Sequence, residues 1–351
     1  MENRVFAAEC DGYEYEKVRE AVGRTLEAFG GARSLIGAGK RVLVKPNILI
    51  PKSPESAATT HPAVIEAVCA AFVEVGADVA VIDSTGAPHK KMFLRLMYGR
   101  TGIKKAVKQS GAKLSFDTSA TEVNFPQGEI LNEFSVLKPV YDADLVISLA
   151  KAKTHGFQLM TGCVKNMFGC IPGLAKPRLH RRFQKREDFA KMLVDVCEFI
   201  KPGLNILDAI VGMEGQGPAS GDPKPTGVIL GGISPYAVDV AQCYLMGLKI
   251  DNIYTINEAV SRGLSPGSPN DLEWLGDDPK DFRQIYKPAV INETDAVPYI
   301  SDNCTGCAAC VRVCPMKCMK IIDNKVKINV KECIKCYCCH EFCPEKAIEL
   351  R

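Results

Sequence analysis

Several patterns that identify common protein classes are missing from this 351-residue sequence. Trp occurs once and His five times. No uncharged run reaches the roughly 18 residues of a transmembrane helix, and no apolar segment follows Met1 as in a signal peptide. Charge of either sign is not in excess, with 44 Lys and Arg against 41 Asp and Glu. We therefore expect a soluble, cytoplasmic protein without a membrane partner.

Two nucleotide-binding motifs are also missing. The sequence has no G-x-x-x-x-G-K-[ST], because Gly37-Ala38-Gly39-Lys40 precedes an apolar run instead of following one. No predicted strand is followed by G-x-G-x-x-G. These absences argue against a P-loop nucleotidase and against a Rossmann-type nicotinamide or flavin enzyme.

Cysteine, by contrast, is abundant, with 16 residues of which ten lie within 304–351. In a chain without a secretion signal, such a cluster indicates metal or redox ligands before disulfides. The pattern C-x2-C-x2-C-x3-C-P occurs twice, and the second copy is the first shifted by 29 residues. This spacing is typical of bacterial ferredoxins with two clusters, in which the fourth Cys of each motif ligates the other cluster.

The crossed pattern predicts two [4Fe-4S] clusters with defined ligands. The first would be held by Cys304, Cys307, Cys310 and Cys343, and the second by Cys333, Cys336, Cys339 and Cys314. A pair of zinc sites is the alternative, but zinc motifs do not repeat C-x2-C-x2-C with crossed fourth ligands. Cys318 and Cys338 fall outside the pattern, and the repeat favours Cys339 over its neighbour Cys338 as ligand.

The segment between the two motifs indicates a β-hairpin. Short alternating apolar runs flank Asp323-Asn324, a dipeptide that favours a tight turn. Residues 299–351 hold nine Lys and Arg against six Asp and Glu. We interpret this tail as a tethered module that exchanges electrons within its own chain and receives them from an external donor such as a free ferredoxin.

The long N-terminal part has the pattern of an α/β protein. Ile65, Val68, Phe72 and Val75 repeat at helical spacing after Pro62 and before Gly76. Alternating strands and helices predict a mostly parallel wound sheet with helices on both faces. Buried parallel strands are predicted at 41–45, 78–83, 144–149, 204–208 and 227–230.

These patterns divide the chain into three parts. Residues 1–250 would form an α/β domain that binds a substrate or ligand. Residues 251–298, rich in Pro, Asp and Gly, would form an irregular connection. Residues 299–351 would form a small α+β domain of the two-cluster ferredoxin type.

Polar residues follow each predicted strand of the α/β part, where open sheets bind their ligands. The candidates that these positions supply are Lys45, Asn47, Asp83, Ser84, Thr85, Lys151, Lys153, Thr154 and His155, then Asp208 and Glu214-Gly215-Gln216-Gly217, with Gly231-Gly232 and Ser234 after the last strand. Some of them, such as Ser84, Thr85 and Ser234, are also natural helix caps. We expect His155 or Asp83 to transfer protons.

The stretch 151–186 contains nine Lys and Arg and neither Asp nor Glu. Lys165 and Asn166 lie in its Gly-rich middle, which suits close approach to a ligand. We favour an anionic substrate with carboxylate or phosphate groups over a merely solvated basic loop. Nucleic acid is disfavoured, because the stretch has few aromatic residues and the sequence has no nucleic-acid-binding module.

Several of these motifs together resemble domain of unknown function family 362, whose members often carry a C-terminal two-cluster ferredoxin domain. The resemblance rests on Val-Lys45-Pro-Asn47, Thr60-His61-Pro62, Asp83-Ser84, Lys151-Ala-Lys153-Thr-His155, Val-Lys165-Asn166-Met-Phe-Gly169 and Pro172-Gly173. It implies a pocket that includes Lys45, Asn47, Lys151, Lys153, His155, Lys165 and Asn166, but it implies no particular reaction.

We therefore expect an iron–sulfur electron-transfer protein, and specifically a ferredoxin-dependent oxidoreductase that reduces an anionic small molecule at the strand ends. Two alternatives stay open from the sequence. One is an electron carrier or binding module without catalysis of its own. The other is a non-redox isomerase or lyase with structural clusters. The sequence leaves the oligomeric state open.

Overall fold

The structure, a computed structural model, describes residues 2–84, 90–173, 175–289 and 296–350. The strands are β1 (Arg4–Glu9), β2 (Arg41–Pro46), β3 (Asp78–Val81), β4 (Lys113–Leu114), β5 (Ala120–Asn124), β6 (Glu133–Leu137), β7 (Leu145–His155), β8 (Leu159–Thr161), β9 (Leu204–Glu214), β10 (Asp222–Gly232), β11 (Glu273–Gly276), β12 (Pro298–Ile300), β13 (Met319–Ile322), β14 (Lys325–Ile328) and β15 (Ile348–Leu350).

The α-helices lie between these strands. They are α1 (Tyr15–Glu27), α2 (Ala32–Leu35), α3 (Pro62–Glu74), α4 (Lys91–Arg100), α5 (Ile103–Gln109), α6 (Lys138–Tyr141), α7 (Cys163–Asn166), α8 (Ala175–Arg182), α9 (Arg186–Ile200), α10 (Pro235–Leu245), α11 (Tyr254–Ser261), α12 (Ala309–Val313) and α13 (Cys338–Glu341). We call residues 2–289 the N-terminal region and residues 296–350 the C-terminal region.

The N-terminal region is built on one large sheet with strand order β11-β1-β10-β9-β7-β2-β3-β4, and β8 pairs with β7. The pairs from β9 through β7, β2 and β3 to β4 are parallel, which confirms the predicted mostly parallel α/β sheet. Strand β10, which contains the predicted parallel strand 227–230, is antiparallel to both β9 and β1. That prediction was wrong because β9 and β10 are joined by a short connection, which suits antiparallel pairing.

Both faces of the sheet are buried, as the apolar strand sequences predict. Val42 and Val44 of β2 enter one hydrophobic core, whereas Leu43 between them enters another. The helices begin at the predicted signals: Pro62 opens α3 behind the His61 cap, and the Ser234 hydroxyl accepts a bond from Ala237 N at the start of α10.

The segment 251–298 contains more regular structure than the irregular connection expected for it. It includes helix α11, which packs against α9, and strand β11, which pairs in parallel with β1 and extends the main sheet. Two of its Pro residues begin short 3₁₀ turns, Pro269–Asp271 and Pro279–Phe282.

The C-terminal region repeats its backbone as well as its cysteines. Helices α12 and α13 begin 29 residues apart, at Ala309 and Cys338. Left-handed backbone conformations recur with the same shift at Gly306 and Lys335, Ala308 and Tyr337, and Lys317 and Lys346. The predicted hairpin is present as β13 and β14, with positive φ at both Asp323 and Asn324 as a tight type I′ turn requires.

Candidate functional site

A cleft lies where the carboxyl ends of the parallel strands meet the C-terminal region. Its lining includes residues of both regions: Lys45, Asn47, Leu49, Asp83, Ser84, Lys165, Asn166, Phe168, Gly169, Lys176, Pro177 and His180 from the N-terminal region, and Val313, Cys338, Glu341 and Phe342 from the C-terminal region. The site at the strand ends is therefore a shared chamber of the two regions. Polar side chains at the strand ends and residues next to the cluster cysteines therefore line the same space.

Lys45 and Asp83, at the ends of neighbouring strands, form a buried ion pair with Nζ and Oδ1 2.8 Å apart. Lys45 Nζ also donates to Asn166 Oδ1 at 2.8 Å, and Asn166 Nδ2 donates back to Lys45 O at 3.0 Å. Asp83 accepts from Ile48 N and Ser84 N as well. Because both oxygens of Asp83 are engaged, this carboxylate holds the cleft wall in place.

Gly169 makes this arrangement possible. A Cβ at this position would sit inside contact distance of the Lys45 ammonium and Asp83 Oδ1. The Gly-rich stretch predicted a close approach of the backbone to a ligand. At Gly169 the backbone does approach other groups closely, but these groups are the side chains of Lys45 and Asp83. Gly162 likewise passes against the carboxylate of Asp239, which accepts from Cys163 N and Val164 N at the start of α7.

Strand β7 continues to His155, beyond the predicted end at 149, and carries Lys151, Lys153 and His155 at alternate positions. Lys151 turns away from the cleft and donates to Asp208 Oδ2 and to the Tyr13 hydroxyl, both at 2.8 Å. Lys153 donates to Asn47 Oδ1 at 2.7 Å and to Ala58 O at 2.8 Å. Burial lowers the pKa of both lysines, and Lys153 is the more strongly affected.

His155 is buried at the contact between the two regions. Its Nδ1 accepts bonds from Phe157 N at 2.9 Å and Gln158 N at 3.1 Å, which places the ring proton on Nε2. Nε2 lies 3.2 Å from Glu341 Oε1. It is not aligned for a hydrogen bond and has no such partner in the described residues. Burial, with Lys165 and Lys153 nearby, lowers the pKa of His155 well below its usual range, so the imidazole is neutral.

Two further lysines bring positive charge to the cleft. Lys165 makes no ion pair or hydrogen bond with the part of the chain that the structure describes. Burial lowers its pKa, whereas the nearby carboxylate of Glu341 favours its charged form. Lys176 donates to Ser84 O, and burial lowers its pKa to about 7. Glu341, buried beside these cations, has its pKa raised by burial.

His180 lies in an aromatic enclosure on the cleft wall. Its ring stacks on Phe189 with centroids 4.4 Å apart and meets the edge of Phe168 at 5.9 Å. Burial lowers its pKa to about 3, so it is neutral at physiological pH. Its buried Nδ1 has no hydrogen-bond partner in the described residues. A ligand in the cleft could therefore bond to it.

Many of the sequence-predicted site residues in the described chain lie at or just behind this cleft, but Lys151, Thr154, Asp208 and the segments 214–217 and 231–234 do not line it. Lys151 belongs to the separate cluster with Tyr13 and Asp208, and Thr85 lies outside the described residues. Ser234 and the preceding Gly231-Gly232 are at the opposite edge of the sheet, because β10 runs antiparallel and Gly232 pairs with Asn205 near the start of β9.

Among the residues of the cleft that carry a titratable nitrogen or a carboxylate, the sequence-based prediction of site residues missed Lys176, His180 and Glu341. Lys176 and His180 lie in the basic stretch 151–186, whose absence of acidic residues was the available signal. Glu341 had no such signal, because its role depends on how the C-terminal region docks.

The eight cysteines of the two motifs line two further cavities. The first cavity is lined by Cys304, Cys307, Cys310 and Cys343, and the second by Cys314, Cys333, Cys336 and Cys339 together with Cys318. Each cavity thus contains one of the crossed sets that the repeat predicts, and Cys318 is an additional cysteine in the second. Backbone amides donate toward two of the sulfurs, Lys335 N to Cys333 and Ala347 N to Cys343, an arrangement that tunes cluster potentials. The residues present therefore fit iron–sulfur clusters.

Both cysteine-lined cavities adjoin the cleft, since Phe342 of the cleft lining is the chain neighbour of Cys343 in the first cavity. Val313 and Cys338, which line the cleft, are the chain neighbours of Cys314 and Cys339, which line the second cavity. Tyr337 also lines this cavity and belongs to the same hydrophobic core as Phe157 and Phe189 of the N-terminal region. Cys307 of the first cavity is exposed to solvent.

Comparison with known proteins agrees with this division. Residues 42–244 match the model of a domain of unknown function, DUF362, and residues 297–344 match that of a 4Fe-4S dicluster domain. The chain is 30% identical to a thylakoid-associated protein of Synechocystis sp., over 76% of this chain and 81% of that protein. In the described part of this chain, no helix has the length and apolarity needed to cross a membrane.

Other similarities are narrower. A polyferredoxin-like protein of Methanocaldococcus jannaschii is 38% identical over 71 residues, which is 16% of this chain and 42% of that protein. The lactate racemase apoprotein from Thermoanaerobacterium thermosaccharolyticum aligns with a TM-score of 0.42 and 12% identity over 68% of this chain and 57% of its own.

The family match covers more than half of the sequence, and the C-terminal match coincides with the two cysteine-lined cavities. The chain therefore belongs to the DUF362 family, and its C-terminal region is a 4Fe-4S ferredoxin-type domain with an iron–sulfur electron-transfer role.

Proposed function

We propose that this protein is an oxidoreductase that passes low-potential electrons from two [4Fe-4S] clusters to an anionic small molecule bound in the cleft. The observation that carries the proposal is the shared lining of the cleft. Lysines of the N-terminal region face the chain neighbours of Cys314 and Cys339 across one chamber. Two one-electron carriers would supply together the two electrons that reduce a double bond, without a flavin.

The charge of the cleft favours an anion. Asp83 is already paired with Lys45 and is also the carboxylate that acts on Lys176, whereas Glu341 is the carboxylate that acts on Lys165. Unbalanced buried cations are costly, and a carboxylate or phosphate group would offset that cost. Phe168, Phe342 and Leu49 supply apolar surface for the rest of the molecule. The cleft therefore suits a small molecule with an anionic group and an apolar body.

The reduction of a double bond by two electrons also consumes two protons. Lys176 is suited to donate one, because its pKa of about 7 lets it lose a proton at neutral pH. His155 carries a proton on Nε2 at the wall formed by Glu341. Asp83 is less suited than predicted, since all of its bonds stabilise the cleft wall.

Iron analysis and ligand-dependent reoxidation test the proposal. Anaerobically prepared protein should contain about eight irons per chain, since each cluster holds four, and should be reducible in two one-electron steps. The addition of unsaturated carboxylates and phosphates to the reduced protein should then restore the oxidised cluster absorbance for at least one compound. Lys165→Met should slow this reoxidation, whereas Lys104→Met, on the exposed face of α5, should not.

Two results would contradict the proposal. Four irons or none would remove the two-cluster assignment. Turnover of an anion while the clusters stay oxidised would instead support a non-redox isomerase or lyase.

None of the sixteen cysteines forms a disulfide, which fits the reducing cytoplasm that we propose as the compartment.

A further inference from the structure

The outward face of the β13–β14 hairpin combines uncompensated positive charge with exposed apolar surface. Lys320 lies directly opposite Lys327 across the hairpin, and Ile322 lies opposite Lys325. Since direct cross-strand partners and residues two apart share a face, these four side chains form one surface, which we call the lysine face. Only Lys325 has an ion pair in the described residues, with Asp302 at 3.1 Å.

The lysine face is unfavourable for the hairpin on its own. Like charges directly opposite on paired strands destabilise the pair. Neither Lys320 nor Lys327 has a carboxylate partner in the described part of the chain. Over residues 312–332 the sequence has six Lys and Arg and two acidic residues. The surface thus has a charge arrangement that an acidic partner would relieve.

Exposed apolar side chains are concentrated in the same segment. Ile321, Ile322 and Val330 are 43%, 48% and 49% exposed, and they are three of the nine large exposed hydrophobic residues in the described chain. Ile322 belongs to the lysine face itself, whereas Ile321 lies opposite Val326 on the other face and Val330 follows the hairpin. Exposed apolar surface beside charged side chains is common in protein–protein interfaces, whereas nucleic acid requires no such apolar surface.

The hairpin also covers both cysteine-lined cavities. Val326 on its inner face lines the first cavity, and Met319 with the preceding Cys318 lines the second. A partner on the lysine face would be separated from the clusters by the hairpin alone. The cleft, in contrast, is bounded by α13 and by Val313 at the end of α12.

We propose that the lysine face is the docking site for an acidic electron-donor protein that reduces the C-terminal region. One electron leaves the donor and one is gained here in each encounter, without a proton. The proposal rests on the proposed function for its purpose, but it concerns only electron input and not the molecule in the cleft.

Stopped-flow reduction of the full, cluster-containing chain tests the docking site. The probe is a reduced acidic [2Fe-2S] ferredoxin, and dithionite serves as a small reductant that needs no docking surface. The second-order rate with ferredoxin should fall steeply with ionic strength. Lys320→Glu/Lys327→Glu should lower this rate at least tenfold at low salt and leave the dithionite rate and the cluster EPR signals unchanged.

Two variants separate docking from folding. Lys320→Glu alone creates an opposite-charge pair with Lys327, which stabilises the hairpin, yet it should still slow reduction by ferredoxin. Lys104→Glu/Lys108→Glu, an equal charge change on α5, should have no effect. Unchanged rates of reduction by ferredoxin in the hairpin variants would overturn the proposal. It would also be overturned if the hairpin variants lost binding to DNA or anionic vesicles while their reduction by ferredoxin stayed normal. Failure of the proposed function would appear differently, as normal reduction with no ligand able to reoxidise the clusters.

Discussion

At the scale of single residues, the cleft depends on lysines whose charge is opposed by burial. Lys153, Lys165 and Lys176 all have lowered pKa values for this reason. The three ammonium groups have different partners. Lys153 donates to an amide oxygen and a backbone carbonyl, Lys165 lies near the Glu341 carboxylate, and Lys176 donates to a backbone carbonyl near Asp83. Their charge is therefore sensitive to pH and to an anion in the cleft.

Lys176 predicts a pH dependence of anion binding. Its pKa of about 7 means that it is charged below pH 7 and neutral above it. The affinity for a dicarboxylate, whose own charge is constant from pH 6.5 to 8.5, should therefore fall about tenfold across this range, equivalent to about 1.4 kcal/mol. Isothermal titration calorimetry at several pH values measures it.

Lys176→Arg provides the control for this prediction. Arg stays charged at all of these pH values, so the variant should bind the dicarboxylate with nearly constant affinity. Lys176→Met should bind weakly and also without pH dependence. A wild-type profile as flat as that of the variants would exclude Lys176 as the titrating group.

Removing the charge of Glu341 should change anion affinity in the opposite direction, that is, raise it. Its carboxylate lies beside His155, Lys153 and Lys165 and would repel an anion in the cleft. Glu341→Gln should therefore raise dicarboxylate affinity about fivefold to tenfold, as calorimetry would show. Glu345→Gln, an exposed acid of the same region, is the control. Weaker binding by Glu341→Gln would show that the carboxylate instead helps to hold the ligand.

At the scale of elements, the turn that carries Gly169 determines whether the strand ends can hold their ion pair. An alanine side chain there would displace Lys45 and Asp83. Gly169→Ala should lower the free energy of unfolding by about 1–3 kcal/mol, the usual cost of overpacking, in urea denaturation. Gly156→Ala, where a Cβ meets nothing within 4 Å, should change stability by less than about 0.5 kcal/mol.

The sequence predicted the positions of strands and helices better than the directions of the strands. Strand positions and helix starts followed from apolar runs and from caps such as His61-Pro62. The antiparallel direction of β10 did not, because its apolar run is equally compatible with either pairing. The extension of β7 to His155 was hidden by its polar end, since Lys and His are unusual in a buried strand.

At the scale of the whole molecule, the cleft couples the two regions. A ligand in contact with both should stabilise both, by about 2.7 kcal/mol at a concentration of 100 times its Kd. In hydrogen-exchange mass spectrometry, saturating anion should protect amides of α7 and the following turn together with those of α13. Helix α1, on a different part of the molecule, serves as the internal control.

Protection restricted to the N-terminal region would contradict a shared site. The prediction of the cysteine sets needed no such long-range information, because it follows from the repeat alone, and the four cysteines of each set line one cavity. The position of Glu341 in the cleft, by contrast, could be predicted only with knowledge of how the C-terminal region packs against the N-terminal region. Contacts between residues such as His155 and Glu341, 186 positions apart, are set by docking and not by local pattern.

The alternating side chains of strand β7 limit where insertions and deletions can occur in homologous chains. Its alternate residues reach three different surroundings in turn, from the Asp208 cluster at Lys151, through Asn47 at Lys153, to the contact with the C-terminal region at His155. A strand changes side with every residue, so one inserted or deleted position between 151 and 155 would turn part of this row to the other face. Homologous chains that keep the cleft should therefore differ in length in their loops and not in this five-residue interval.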